Sequence, residues 1–330
     1  MHMADALVSP AVGGTLWAAS AALLAYSSRQ VAKDPDTGRI PLMGVLGAFV
    51  FAAQMINLSI PGTGSSGHLG GGLLLAVLLG PHAAFLTMAS VLTVQALFFA
   101  DGGLLALGCN IFNLGFTTAY LAYPLLVKPL LSGQASPGRR TWALMLGAVL
   151  GLQLGAFGVV LETVLSGRTE LPFSTFVLAM QPIHLAIGLV EGAVTVAVVS
   201  FLAQARPELV RAAPAQGSLL RKLAYMAVLA VLVGGVLSWY ASSRPDGLEW
   251  AIERVNGQAE LEEPKSRVHE GLAGVQASTA FLPDYTFKGV EGESRAGTST
   301  SGVVGGLITL ALAAGLGFLL SRRRKASQHP

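Results

Sequence analysis

Cysteine is almost missing from this chain of 330 residues: Cys109 stands alone, which excludes an internal disulfide framework and any zinc or iron–sulfur site built on several cysteines. Charge is scarce as well. With 21 basic and 18 acidic side chains, 12% of the sequence is charged, against about 25% in soluble domains. No GxxxxGK[ST] loop is present, so ATP is not hydrolysed through that motif, and no HExxH pair marks a zinc protease. No basic tract interleaved with aromatics lies outside the tail, so nucleic acid is not an expected partner. The letters of GxGxxG do occur, at Gly62-Thr63-Gly64-Ser65-Ser66-Gly67. Apolar runs flank them, however, where a dinucleotide site needs a strand before and a helix after. What is abundant is apolar side chains, 52% of the chain, and glycine, 40 residues. The expected solvent is a lipid bilayer.

Apolar runs that approach the length of a bilayer crossing fall at 11–28, 41–60, 69–80, 83–100, 103–131, 142–164, 173–204, 223–242 and 302–320. They predict an all-α polytopic membrane protein with about nine transmembrane or re-entrant helices. The run 69–80, bounded by Gly70–Gly72 and Gly80-Pro81, is the shortest and reads as a broken or re-entrant element. If it does not cross, every later segment inverts.

Lys and Arg concentrate in cytoplasmic loops. With the N-terminus outside, 14 of the 21 basic residues fall on inner segments: Arg29 to Arg39, Lys128 to Arg140, Arg206 to Lys222 and the tail Arg322 to Lys325. The short outer loops keep only Arg168, and the rest lie in the long segment 243–301, where the rule has little force. The expected topology is N-terminus outside and C-terminus cytoplasmic, in a bacterial inner membrane, which puts Met1 and the loop 61–68 on the same external face. Before Arg29 the only charged side chain is Asp5, so the positive region of a cleaved signal peptide is missing and the first helix is expected to be retained. The charged, proline-bearing stretch 205–222 reads as a cytoplasmic linker. It divides a seven-segment body, 1–204, from a two-segment unit, 223–330, made of helix 223–242, outer segment 243–301, helix 302–320 and a basic tail.

Polar side chains within hydrocarbon are expensive, so each is either a functional candidate or a bond between helices. Gln181, His184, Gly188 and Glu191 recur at helical spacing and share one face. Gln54 with Asn57, Gln95, Asn110 with Asn113, and Gln153 add intramembrane amides. Hydrogen bonding between packed helices explains the amides as well as function does; His184 and Glu191, being ionisable, lean toward function. Asp101, in the outer turn Ala100-Asp101-Gly102-Gly103, is expected to cap the helix that follows. His82, His269 and His329 carry little weight.

Two short features combine on the outer face. In Met1-His2, the free α-amine, the amide nitrogen of His2 and its imidazole Nδ1 can close a five-membered and a six-membered chelate ring on one metal, giving three nitrogens in a plane. A fourth nitrogen from His68, in the glycine-rich Ser66-Gly67-His68-Leu69-Gly70, would complete a square-planar set, the geometry of Ni(II) or Cu(II) with nitrogen donors.

These residues resemble the nickel/cobalt substrate-capture subunits of energy-coupling factor (ECF) transporters, the CbiM/NikM type. The likeness runs through Met1-His2-Met3 with Asp5, Ser66-Gly67-His68-Leu69, Val94-Gln95-Ala96-Leu97, Asp101-Gly102-Gly103 to Gly108, Asn110, Asn113, and Ile183-His184 to Glu191-Gly192. Pro245-Asp246-Gly247-Leu248-Glu249, with Pro283-Asp284-Tyr285 further on, is similar to the PDGLE-bearing small partner subunit of nickel systems (NikN type), fused to the body. The resemblance implies an S-component-like bundle and a metal held by Met1, His2 and His68. Gln54, Asn57, Gln95, Asp101, Asn110, His184 and Glu191 would orient those ligands or line a pathway. It implies Ni(II) as transported substrate, with Co(II) as the other candidate, no organic cofactor, and no enzymatic activity in this chain. A transmembrane coupling subunit and cytoplasmic ATPase subunits are the implied partners. The alternative is a stand-alone secondary carrier or channel for divalent transition metals, which would need an ionisable path such as His184 with Glu191. All the proposed ligands lie before residue 205, so removing the second unit is expected to leave metal binding in place.

Overall fold

The computed structural model describes residues 2–34, 39–133, 135–205, 219–289 and 294–327. Its helices, in chain order, are α1 Pro10–Lys33, α2 Arg39–Gln54, α3 Gly72–Leu79, α4 Pro81–Phe99, α5 Leu107–Leu131, α6 Pro137–Leu165, α7 Phe173–Ala205, α8 Leu219–Gly235, α9 Gly247–Asn256, α10 Arg267–Thr279 and α11 Arg295–Ser327. Between α2 and α3 lies an antiparallel hairpin, β1 Leu58–Ser59 with β2 Ser66–Gly67, in which Leu58 faces Gly67 and Ser59 faces Ser66. The GxGxxG letters are therefore the turn and second strand of a hairpin, with positive φ at Gly62 and Gly64, and not the opening of a helix.

Helix starts follow local chemistry. Ser9 Oγ accepts from Val12 N with Pro10 as the first helical residue, and Ser136 with Pro137 repeats the arrangement at α6. Proline there loses no intrahelical bond, and the hydroxyl satisfies one of the orphan N–H groups. Among the described residues, five segments are long and apolar enough to cross a membrane: Pro81–Phe99, Leu107–Leu131, Pro137–Leu165, Phe173–Gln204 and Arg295–Arg322. Arg39–Gln54 and Ala224–Tyr240 are apolar but shorter. α1 has 24 residues, the length of a span with a lower hydropathy.

The run 69–80 is the instructive case. α3 has eight residues, about 12 Å of helix against a hydrocarbon thickness of about 30 Å. Yet the chain does travel from one end of the bundle to the other here: a Cβ placed on Gly80 would lie 3.8 Å from the Arg39 guanidinium at the start of α2, while Gly70 meets Gln54 at the end of α2. The remaining distance is covered by non-helical backbone, which is tolerated at depth only where protein groups satisfy its N–H and C=O. Gln54 Nε2 donates to Gly70 O at 2.8 Å. Gly70 N and Gly71 N donate to the two carboxylate oxygens of Glu191 at 3.2 and 3.1 Å. Gly71 takes φ +76, the left-handed region where a side chain is strained.

The small residues Gly44, Ala48 and Ala52 of α2 face this chain's own α11 and α8. A Cβ on Gly44 would stand 2.8 Å from Ala314 Cβ, and one on Gly234 would stand 3.1 Å from Ala52 Cβ. The described residues of 243–301, the expected outer segment, include α9 and α10, and α11 starts at Arg295, seven residues before the apolar run. Reading for long apolar runs passes over such elements because α9 and α10 are amphipathic, and α11 opens on Thr and Ser. The stretch 206–218, most of the expected linker, lies outside the described residues.

Candidate metal centre

The site forms where the N-terminal segment, the hairpin and the turn after α4 meet at one end of the bundle. Met3 is pinned there by main-chain bonds: Gly103 N donates to Met3 O at 2.9 Å, Met3 N donates to Asn110 Oδ1 at 2.8 Å, and Asn110 Nδ2 donates to Met3 O at 3.2 Å. Asp5 Oδ1 accepts from Ala106 N at 2.9 Å. Gly103 has no room for a side chain, since a Cβ would meet Asp5 at 1.8 Å. These contacts fix the next residue toward the N-terminus, His2.

The His2 and His68 rings, far apart in sequence, stack with centroids 4.9 Å apart and planes inclined by 27°. His68 is half-buried, and desolvation is the main cause that pushes its pKa down to about 3. It is a neutral imidazole at physiological pH, the form that binds metal. Its Nδ1 lies 3.2 Å from Leu69 O, so in the neutral ring the lone pair is on Nε2. His2 Nδ1 donates to Asp101 Oδ1 at 2.7 Å, and His2 Nε2 has no hydrogen-bond partner among the described residues. Asp101 does not cap α5, whose first residue is Leu107 with no side-chain cap; its second oxygen accepts from Tyr285 OH at 2.5 Å. Burial alone would raise its pKa. The charge and hydrogen bond of His2, with the bond from Tyr285, outweigh that and hold the carboxyl well below the usual range. Met1 lies outside the described residues. Among those described, no group of three or more His, Cys, Asp and Glu side chains is gathered as a metal site.

Two residues of the second unit reach this place, and sequence reasoning assigned neither. Tyr285 is one, stacked on Phe99 at 5.1 Å and accepting from Gln95 Nε2 at 3.3 Å. Asp246 is the other. With Gly67, His68, Gly70, His184 and Gly247 it lines a cavity of about 10 Å³, space for roughly one water. Asp246 opens α9 in a reciprocal cap: its Oδ1 accepts from Leu248 N and Glu249 N, and Glu249 Oε2 accepts from Asp246 N. The signal was in the letters, because Asp-x-x-Glu is a capping-box spacing; no comparable signal marks Tyr285.

The other polar candidates divide. Asn110 and Gln95 support the site, the first through Met3 and the second through Tyr285. Gln54 and Glu191 satisfy the non-helical backbone beneath His68. His184 donates from Nδ1 to Met180 O at 2.8 Å, and its buried Nε2, which has no hydrogen-bond partner among the described residues, lies at the cavity beside Gly247. Asn57 receives Ser242 N on its carbonyl. Gln153 and Gln181 join α6 to α7, each side-chain amide donating to the other's carbonyl at 2.8 and 3.4 Å. Glu162 was not singled out from the sequence, although an acidic residue in an apolar run is itself a signal. It is buried in α6 and accepts from Asn113 Nδ2 at 2.7 Å. His82 pairs with Tyr120 OH, and His269 joins α10 to Val8 O.

Two half-buried imidazoles and a carboxylate at the end of a bundle of apolar helices suit a membrane protein of the transition-metal-handling class. Residues 2–209 match the cobalt uptake substrate-specific transmembrane region, CbiM, and residues 220–322 match the PDGLE domain. A fused nickel transport protein, NikMN, of Archaeoglobus fulgidus is 34% identical over 98% of both chains. The fused nickel transport protein NikMN of Rhodobacter capsulatus is 32% identical over 86% of this chain and 83% of its own. A crystal structure of a transition metal transporter matches with a TM-score of 0.56 at 28% identity, covering 68% of this chain and 98% of the other. The chain belongs to the CbiM family of ECF transporters, fused to a PDGLE domain. It is a multi-pass membrane component of nickel/cobalt uptake and not an enzyme.

Proposed function

We propose that this chain captures Ni(II) at the outer face through the Met1 amine, the His2 amide and imidazole Nδ1, and His68, and presents it to an ATP-driven ECF importer. The observation that carries the reading is the stacking of His2 on His68 at 4.9 Å, which brings a penultimate histidine and a loop histidine together as a shared nitrogen site requires. Loading turns the His2 ring over, so that Nδ1 faces the metal and Nε2–H, which has no partner among the described residues here, takes over the bond to Asp101. Nickel over cobalt is supported by the fused relatives, both named for nickel transport and both spanning the two units. Residues 1–204 are the capture body, 205–222 a cytoplasmic linker and 223–330 the accessory unit, in a bacterial cell membrane with the N-terminus outside and the C-terminus cytoplasmic. The concentration of basic residues on the segments assigned to the inside supports that orientation. A coupling subunit and cytoplasmic ATPases on other chains supply the energy.

The stand-alone carrier has less support, because the path expected for it uses Glu191, whose two oxygens are occupied by Gly70 N and Gly71 N. The test compares nickel content in chains tagged at either end. An N-terminal tag removes the free amine and should abolish tight binding, while a C-terminal tag should not; His2→Ala and His68→Ala should each remove most binding. Equal nickel in both tagged forms would refute the site.

A further inference from the structure

We propose that the accessory unit is part of the metal site and sets its geometry, with Tyr285 holding Asp101 and through it His2, while the Arg244–Gly247 turn holds the hairpin that delivers His68. The inference rests on the reading of His2 and His68 as nickel ligands.

The hairpin cannot hold His68 in place by itself. Two residues per strand make a ribbon that is not stable alone in water, and its outer contacts come from 242–250. Ser66 N donates to Pro245 O at 2.8 Å and Ser66 Oγ to Arg244 O at 2.8 Å. Trp250 Nε1 donates to Thr63 O at 3.0 Å, and Ser242 N to Asn57 O at 2.7 Å. The turn sits close because Gly247 has no side chain: a Cβ there would stand 2.6 Å from Ile187 and 3.1 Å from the His184 ring.

On the other flank, Asp101 divides its oxygens between His2 and Tyr285. Tyr285 is itself fixed by the Phe99 stack, and it and Asp284 take φ +60 and +49, a region that residues with side chains rarely hold without tertiary support. The two short motifs of the accessory unit thus reach one imidazole each, the first through the hairpin that carries His68 and the second through Asp101 to His2. Tyr285 and Ser66 are positioning residues: neither is a ligand, and each acts on one.

The experiment uses the full chain with a free N-terminus in detergent and Ni(II) as probe, comparing the parent with Tyr285→Phe, Ser66→Ala and His2→Ala. Affinity, the rate of nickel release to a chelator and the visible absorption of bound nickel are read together. Tyr285→Phe keeps the ring and its stack but removes the hydroxyl. It should lower affinity by about tenfold or more, as loss of a group orienting a metal-bound histidine does, and shift the visible band. Ser66→Ala should speed release in the same direction. Parent-like affinity, release and spectrum in both variants, with binding lost in His2→Ala, would overturn the inference and leave the ligand reading standing. Weakened binding with an unchanged band would also overturn it, since that reports general destabilisation. Parent-like binding by His2→Ala would sink the ligand reading, and the inference with it.

Discussion

His2 Nδ1 carries a proton toward Asp101 in this structure, whereas a chelate through that nitrogen needs it bare. Binding through Nδ1 needs that proton on Nε2 instead, and metal competes with protons at the amine and amide that complete the plane. Nickel affinity is expected to rise with pH and to fall on acidification from about 8 to 5, with protons released on binding. His68 is not the cause in that window, because it stays neutral until about pH 3. Calorimetry in two buffers of different ionisation enthalpy checks both points, and a pH-independent affinity would count against the nitrogen plane. At this scale the sequence was informative about identity: His2 and His68 stood out by residue type and position. It misread Asp101, expected as a helix cap, because an aspartate before glycines looks the same whether its carboxylate meets the next helix or a histidine 99 residues away.

α3 depends on residues outside it. Eight apolar residues do not cross a membrane, and the glycine segment before them needs Gln54 and Glu191 to satisfy its backbone. Glu191→Ala leaves the Gly70 and Gly71 N–H groups buried without an acceptor, at a cost of about 1–3 kcal/mol each. The expected result is a lower unfolding temperature in detergent and a weakened His68 site. Glu191→Gln keeps one acceptor and should retain most stability and nickel binding. A carrier using Glu191 as a proton or metal relay predicts the opposite for uptake, with Glu191→Gln inactive at full stability. Long elements were legible because twenty apolar residues have few alternatives in lipid. The break at 69–80 was legible from its glycines and its length, but the partners that make it tolerable were not, since hydropathy says nothing about which helix a glutamate faces.

The accessory unit is held to the body along α2. Its small residues let α11 and α8 approach closely, so Gly44→Val, which adds bulk 2.8 Å from Ala314 Cβ and 2.9 Å from Leu310 O, should destabilise the chain by about 1–3 kcal/mol, measurable as a lowered thermal midpoint. Truncation after about residue 218 removes α8 to α11. It uncovers this face of α2 and the hairpin's contacts, so the truncated chain should lose uptake and bind nickel more weakly, although every proposed ligand remains. Unchanged nickel affinity in a monodisperse truncated chain would show the accessory unit to be separable from the site.

The sequence by itself determined the membrane class, the long helices, the fused second unit and the two histidines, because composition, run length and donor chemistry are properties of the chain read in order. Only the tertiary structure decided that Tyr285 meets Asp101, that Pro245 receives Ser66, and that Glu191 serves a glycine backbone 120 residues away. Those pairings come from the packing of helices whose apolar faces are nearly interchangeable by hydropathy. Which polar residues end up facing each other depends on close approach at Gly44, Gly103 and Gly247, where the missing side chain leaves room for the neighbouring element.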